Sequence, residues 1–254
     1  MFILSLLLLT GCSERVDLTP TWEVGTHGTA TFRINREARV VPGRDRMRTI
    51  RRGTLDLTVT EAGDLNGDPI TLSVVHRELH MTREALGEIR EVTSSSELEP
   101  ALVPEFDFED EVRSFTISPD DTMTSDSERT LDTDPGAFLQ HLLAAPDGRV
   151  AVGTMWSIPI DPAQDGTDRY RTFKLDSVTG DTARIRMLDV SGHPTRGDIG
   201  PPETQSEGVA WIHVPTGLPY YLRIRDKSNR MIGLDTTFAF DWDGVPPSPE
   251  VPSE

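Results

Sequence analysis

The chain has 254 residues and a formal net charge of −17, from 42 acidic residues against 25 Lys and Arg. This excess of negative charge argues against nonspecific binding to nucleic acid or to a bare anionic membrane. Apolar residues make up 36% of the chain, which is enough for one large or two small hydrophobic cores and excludes full disorder. The 20 glycines and 19 prolines indicate many turns rather than a bundle of helices.

The chain begins with an almost wholly apolar run over residues 2–9. At ~1.5 Å per helical residue, this run is far shorter than the ~30 Å hydrocarbon core of a bilayer. Its length is typical of the apolar region of a secretory signal peptide. No Lys or Arg precedes it, which is a departure from most such signals.

The run ends in Leu9-Thr10-Gly11-Cys12, and Cys12 is the only cysteine. This tetrapeptide resembles the bacterial lipobox, in which a signal peptidase cuts before a cysteine that carries a diacylglyceryl group. The resemblance implies cleavage between Gly11 and Cys12, attachment to a membrane through lipid on Cys12, and, because Ser13 follows, sorting to the outer membrane. Residues 1–11 are then a signal peptide and residues 12–19 a tether. The competing interpretation is a buried N-terminal strand with an inert Cys12.

Residues 20–242 are predicted to form a β-rich domain. In residues 29–41, Ala30, Phe32 and Ile34 fall on one face, while polar residues such as Arg33 fall on the other. This alternation predicts a long, half-buried antiparallel strand. Residues 54–60 and 70–74 repeat the pattern, with a turn between them at residues 61–69.

Arg36 interrupts the apolar face of the first long strand, because it falls in phase with Phe32 and Ile34. One interpretation is a β-bulge or an edge position that turns the side chain outward. The other is an inward guanidinium, which requires a carboxylate partner.

Charge is distributed unevenly along the chain. Residues 97–134 hold thirteen acids against two arginines, and we predict a mobile acidic loop there. Residues 33–52 hold eight arginines against two acids. This arginine-rich stretch suits the binding of anionic groups, or else it is a solvated, salt-bridged surface that faces the acidic loop.

One short helix is predicted near residues 135–144. Asp134 is a suitable N-cap, Pro135 suits the first helical position, and an apolar stripe follows. Pro146-Asp147-Gly148 then ends the helix.

The second half of the chain again alternates with a period of two. Thr179-Gly180-Asp181-Thr182 is predicted to form a tight hairpin turn. The last strand places Phe238, Phe240 and Trp242 on one face, and residues 243–254 form a proline-rich tail that we expect to be disordered. The predicted fold is mainly β (α+β), a strongly curved antiparallel sheet or half-open barrel with one short helix. Two small domains, separated by the acidic loop, are the less favoured alternative.

Sequence motifs for catalysis or metal binding are weak. His76-Arg77-Glu78-Leu79-His80 places its acid one position later than the zincin motif does, and it continues a strand pattern, so we expect no metal site. No nucleophile elbow, P-loop or dinucleotide-binding motif occurs, and we predict no catalytic residue and no cofactor.

The second half resembles a family of bacterial lipoproteins of unknown function. The resemblance rests on Gly153-Thr154-Met155-Trp156 after a valine-rich strand and on a hairpin over residues 208–219, and it spans residues 144–242. It implies a curved antiparallel sheet around a helix, similar to the open barrels of LolA and LolB. Those carriers hold acyl chains in the concave face.

Three functional hypotheses follow. The first is a non-catalytic envelope lipoprotein that binds an apolar or protein ligand, and no nucleic acid, on its sheet. The second is a structural or interaction lipoprotein with a filled core, and the third is a hydrolase with an unrecognised site. A cavity at the apolar face would favour the first hypothesis, and a filled interior would favour the second. The predicted ligand-facing residues are Phe32, Ile34, Arg36, Phe238, Phe240 and Trp242.

Overall fold

A computed structural model of the chain describes residues 15–39, 46–62, 69–85, 88–92, 112–117, 123–125, 146, 148–160, 169–191, 203–229 and 232–247. The regular secondary structure in these ranges is all β-strand, so the prediction of a mainly β, antiparallel fold is confirmed. The strands are β1 (Arg15–Val16), β2 (His27–Arg39), β3 (Arg46–Glu61), β4 (Ile70–Ala85), β5 (Glu88–Val92), β6 (Val112–Ile117), β7 (Met123–Ser125), β8 (Val150–Ala151), β9 (Met155–Ile160), β10 (Arg169–Thr179), β11 (Thr182–Ser191), β12 (Glu203–His213), β13 (Pro219–Asn229) and β14 (Ile232–Trp242).

Twelve of the described strands form one sheet, in the order β7-β6-β4-β3-β2-β14-β13-β12-β11-β10-β9, with β5 paired to β4 outside this path. Every described pair of neighbours is antiparallel. Strand β2 from the first half pairs with β14 from the second half. The two strand-rich halves of the sequence therefore share one sheet, and a separate two-stranded ladder joins β1 to β8.

Local sequence patterns account for the individual strands and hairpins. In β3, Leu55, Leu57 and Val59 are fully buried, as their alternation predicts. The turn between β10 and β11 is the expected two-residue connection, with Thr179 opposite Thr182. Gly180 has φ 55°, a left-handed value that glycine adopts without steric cost.

The sheet has one densely packed face, which we call the inner face and define by Ala30, Phe32 and Ile34 of β2. Phe32 lies opposite Phe238 with ring centroids 6.2 Å apart, and Phe238 stacks on Phe240 at 6.0 Å. Gly53 lies opposite Phe32 on β3, and a Cβ there would approach the Phe32 ring at 2.8 Å. Glycine at this position therefore leaves the space that the Phe32 ring occupies.

The segment before β2 is part of the folded domain. Val16 and Leu18 are buried, and the Trp22 ring packs against Trp242 with centroids 6.0 Å apart. The backbone N–H of Thr21 donates a 3.0 Å hydrogen bond to the carbonyl of Thr216. Residues 15–19, which belong to the expected tether, are held by apolar burial and by pairing with β8.

Two other predicted segments also contain residues with described structure. The expected acidic loop over residues 97–134 contains the strands β6 and β7. Phe115 of β6 lies opposite Leu72 of β4 and is fully buried, so β6 belongs to the packed sheet. The start of the expected tail is docked, since the Tyr220 hydroxyl donates a 3.0 Å hydrogen bond to the carbonyl of Pro246.

Several predicted features lie outside the described residues. They are the helix near residues 135–144, the lipobox with Gly11 and Cys12, and the tail beyond residue 247. In the part of the chain that the structure does describe, no helix has the length and hydropathy of a membrane span.

Candidate functional site

The strongest candidate site is a groove of about 360 Å³ on the outer face, the side of the sheet opposite the inner face. We call it the arginine groove. It crosses four neighbouring strands, β3, β2, β14 and β13. Its lining residues are Arg33, Asn35, Arg48, Tyr221, Arg223, Asp235 and Thr237.

Strand register brings the groove residues together. Thr237 lies directly opposite both Arg33 of β2 and Arg223 of β13, and Asp235 lies opposite Asn35. Neighbouring strands are about 4.8 Å apart, so these side chains form one continuous polar surface. Thr237 and Tyr221 are buried although they face outward, and they contribute the floor of the groove.

Asp235 organises one side of the groove. Arg223 donates two hydrogen bonds to it, from Nε to Oδ1 at 2.9 Å and from Nη2 to Oδ2 at 2.6 Å, and Arg225 Nε adds a contact of 3.3 Å. The hydrogen bonds from Arg223 hold the pKa of Asp235 below its ordinary value, and the same pair raises the pKa of Arg223. The bidentate contact with Asp235 thus fixes the orientation of the Arg223 guanidinium.

The other side of the groove carries Arg33 of β2 and Arg48 of β3, and Arg48 lies between Glu37 and Glu84 in the strand register. Arg48 Nε donates a 2.9 Å hydrogen bond to the amide oxygen of Asn35, which is neutral. Among the described residues, neither Arg33 nor Arg48 forms an ion pair. The described lining of the groove therefore includes three guanidinium groups and one carboxylate, in a strongly acidic protein.

A second depression of about 310 Å³ adjoins the arginine groove and shares Arg223 with it. Here the cations are mostly neutralised: Arg186 lies 2.8 Å from Asp176, and Arg225 lies 3.9 Å from Glu207. Among the described lining residues of these two depressions, the arginines that form no ion pair therefore lie on the β2 and β3 side.

The apolar residues that we predicted to face a ligand lie elsewhere. Phe32, Ile34, Phe238, Phe240 and Trp242 are all buried in one hydrophobic cluster on the inner face. The Phe240 and Trp242 rings stack at 6.0 Å, which continues the row of packed aromatic rings. Neither the arginine groove nor the depression beside it is lined by any of the five. In the described part of the chain these side chains build the core, as close packing of large apolar groups favours.

Arg36, the sixth predicted ligand-facing residue, differs from both interpretations of the sequence. Its pairing with Leu234 of β14 and Thr49 of β3 continues without a register shift, so β2 has no bulge there and is not an edge strand. The side chain is nevertheless exposed. It is exposed although Thr49, directly opposite on β3, is buried.

The two histidines of the zincin-like sequence cannot bind one metal ion together. A register shift between Thr54 and Leu55 in the β3–β4 pairing changes the alternation of β4. His76 is buried on the inner face, whereas His80 is exposed on the opposite face. The described residues contain no group of three or more His, Cys, Asp or Glu side chains that could hold a metal ion.

His213 is a buried titratable residue whose contacts stabilise a turn. Burial lowers the pKa of its imidazole, and its Nδ1 lies 2.9 Å from the Thr216 hydroxyl, with which it shares a hydrogen bond. Thr216 is in the turn between β12 and β13, and its hydroxyl also accepts a bond from the N–H of Leu218. These contacts hold the turn that receives residues 20–21 of the N-terminal segment.

Sequence reasoning missed Tyr221, Arg223 and Asp235 as site residues. They occupy the polar positions of the last two alternating strands, so their outward direction was available from the period of two. Their proximity to Arg33 was not available, because it depends on the pairing of β14 with β2.

Comparison with known proteins does not assign the chain to a family. A scan against protein-family models finds no match, and a search of curated protein sequences finds none either. Among solved structures, the chain is similar to DynF from the dynemicin biosynthesis pathway of Micromonospora chersina. The two are 12% identical, the match covers 94% of this chain and 89% of DynF, and the TM-score is 0.21. A TM-score this low carries no argument about the fold or the function of the present chain.

Proposed function

We propose that the protein is an exported bacterial lipoprotein, anchored in the outer membrane through acyl chains on Cys12. Its role is that of a non-catalytic binding protein of the cell envelope, with the arginine groove as the binding surface. The apolar run over residues 2–9 and the lipobox-like sequence ending in Cys12 support the anchor. The groove supports a ligand, on a partner protein or a small molecule, that presents a carboxylate or phosphate group.

A single observation carries the binding proposal: Arg33 and Arg48 line a groove of about 360 Å³ without an ion-pair partner among the described residues. Guanidinium groups bind carboxylate and phosphate through two parallel hydrogen bonds, so two of them in one groove recognise an oxyanion with defined geometry. Arg33 is exposed, and its charge is therefore screened by salt. We expect the affinity to fall as ionic strength rises.

Calorimetric titration with citrate and with inorganic phosphate, at low ionic strength, tests the groove. The mature protein should bind at least one of the two probes, and Arg33→Gln should weaken the binding. The matched control is Arg77→Gln, which removes the same charge from an exposed arginine that already pairs with Asp56 at 2.6 Å. The proposal fails if the mature protein binds neither probe, or if Arg77→Gln weakens binding as much as Arg33→Gln does.

Metabolic labelling with palmitate tests the anchor. The full-length chain should incorporate the label in a bacterial host, and Cys12→Ala should abolish incorporation because no other cysteine exists. Label retained in the Cys12→Ala protein would reject the anchor and, with it, the envelope location.

The proposal extends to the shape of the sheet, which we infer to be strongly curved, as in a half-open barrel. Buried apolar residues from β6 through β10 belong to one hydrophobic cluster. In a flat sheet these two strands would lie about 38 Å apart, eight spacings of about 4.8 Å. Curvature gives such a wide sheet a shared interior.

The row of packed aromatic rings favours an interaction protein with a filled core over a carrier of apolar ligands. Lipid extraction and mass spectrometry of the purified mature protein distinguish the two. We expect no stoichiometric apolar molecule apart from the acyl chains on Cys12. A co-purified lipid would instead indicate that the protein binds an apolar ligand on the inner face.

A further inference from the structure

The turn at residues 151–154 and the residue that follows it expose apolar side chains to solvent. Val152 and Met155 are 46% and 60% exposed. Val152 is at the tip of a turn that is closed by a 3.0 Å hydrogen bond from the N–H of Thr154 to the carbonyl of Ala151. Gly153 follows it with φ 92°. Met155 then begins β9, the last strand in the described order of the sheet.

The same turn lies beside the point where the N-terminal segment joins the domain. Strand β8 pairs with β1, and Arg15 is directly opposite Ala151. Only three Cα–Cα steps separate Cys12 from Arg15, so the two Cα atoms are at most about 11 Å apart. The length of the chain therefore limits how far a lipid on Cys12 can lie from the turn that carries Val152.

We propose that the turn 151–154 and Met155 form a docking surface for the lipid bilayer into which the acyl chains of Cys12 insert. This inference rests on the proposed lipid anchor. It adds that the domain does not swing on a flexible tether but lies on the membrane in one orientation, with this end of the sheet in contact with lipid.

The charges around the turn fit a surface of phospholipid head groups. Arg15 and Arg149 flank the β1–β8 ladder, are exposed, and form no ion pair with another described residue. Asp17 lies near Arg149 and accepts a 3.0 Å hydrogen bond from the N–H of Thr19. Arginine side chains place their stems along apolar surface while their guanidinium groups reach lipid phosphates.

Because the lipid anchor is close, a small apolar surface is enough to dock the domain on the membrane. Burial of one valine and one methionine side chain is too little to recruit a free protein to a membrane. A domain whose first described residue lies at most about 11 Å from the anchored Cys12 binds at a high effective concentration instead. We therefore expect docking of the acylated protein only.

Site-specific fluorescence tests the docking surface. In the acylated protein the thiol of Cys12 is consumed, so Val152→Cys supplies one reactive cysteine for an environment-sensitive label. The matched control is Gly233→Cys at the opposite end of β14 from Trp242, because Gly233 is exposed and an added Cβ there meets nothing within 4 Å. The labelled proteins are reconstituted in vesicles of phosphatidylethanolamine and phosphatidylglycerol.

The label at position 152 should shift its emission to shorter wavelength and be quenched by spin-labelled lipids, and the label at position 233 should not. If the emission of both labels is that of a label in water while mass spectrometry shows acyl chains on Cys12, the docking surface is disproved and the proposed lipid anchor is retained. If Cys12 carries no acyl chain, the proposed anchor fails and the docking inference fails with it.

Discussion

The inner and outer faces of the sheet share the same strands and differ in what their side chains do. On β2, Phe32 and Ile34 point into a row of packed rings, while Arg33 and Asn35, the alternate residues, line a polar groove. The inner face therefore supplies most of the buried apolar packing, and the outer face carries the charged side chains that we propose bind a ligand. Since the period of a strand is two, each face can be altered by mutation with little effect on the other.

The largest effect is expected from opening a cavity on the inner face. Phe238→Ala removes a fully buried ring that contacts both Phe32 and Phe240, and it should lower the free energy of unfolding by about 3–5 kcal/mol. Urea denaturation measures the change. Thr31→Ala, at an exposed position of the neighbouring strand, should change stability by less than about 0.5 kcal/mol. A small loss for Phe238→Ala would show that the inner face is not a packed core.

Overpacking of the same face should cost less than the cavity. Gly53→Ala places a Cβ against the Phe32 ring and the backbone carbonyl of Glu78, and it should destabilise the protein by about 1–3 kcal/mol. Gly233→Ala is the control, since its Cβ meets nothing within 4 Å. Equal unfolding midpoints for the two variants would contradict the close approach at Gly53.

On the outer face, the pair of Asp235 and Arg223 should make stability depend on pH. The folded-state pKa of Asp235 lies below its ordinary value of 3.8, so the pair stabilises the fold above about that pH. This contribution is lost as pH falls from 3.8 through the folded-state pKa. Asp235→Asn should cost about 1 kcal/mol at neutral pH, because the carboxylate is partly exposed, and it should flatten the acid dependence.

Unfolding free energies measured across the acid range check this prediction. Asp241→Asn, at an exposed position of the same strand, should retain the acid dependence of the wild type. An Asp235→Asn protein with an unchanged dependence would show that the pair does not form in solution.

The smallest effect is expected beyond the groove, where Arg184 lies over the Trp211 ring at 5.4 Å from its centroid. Arg184→Ala should lower stability by about 0.5–1 kcal/mol, as for an exposed cation–π contact, and Arg184→Lys should recover part of the loss. Denaturation of the three proteins in parallel measures it. A lysine variant as unstable as the alanine variant would assign the loss to packing of the arginine stem.

Residues within one strand or one hairpin were the predictable part of the fold. The alternation around Phe32 and the turn at residues 179–182 are local, because side-chain direction and turn geometry depend on a few neighbouring residues. Arg36 shows the limit of this reasoning. It lies in phase with the buried residues Phe32 and Ile34 and is nevertheless exposed, which the alternation alone does not predict.

The amino-acid sequence alone determined that the chain is a β-protein with two chemically different strand faces, and it predicts export and lipid attachment at Cys12. Only the tertiary structure decided that β2 pairs with β14, which places Arg33 beside Thr237 and near Arg223. It also placed Arg15 beside the turn that carries Val152. The physical reason is that an alternating pattern specifies which face is buried, whereas the choice of partner strand depends on packing across the whole chain.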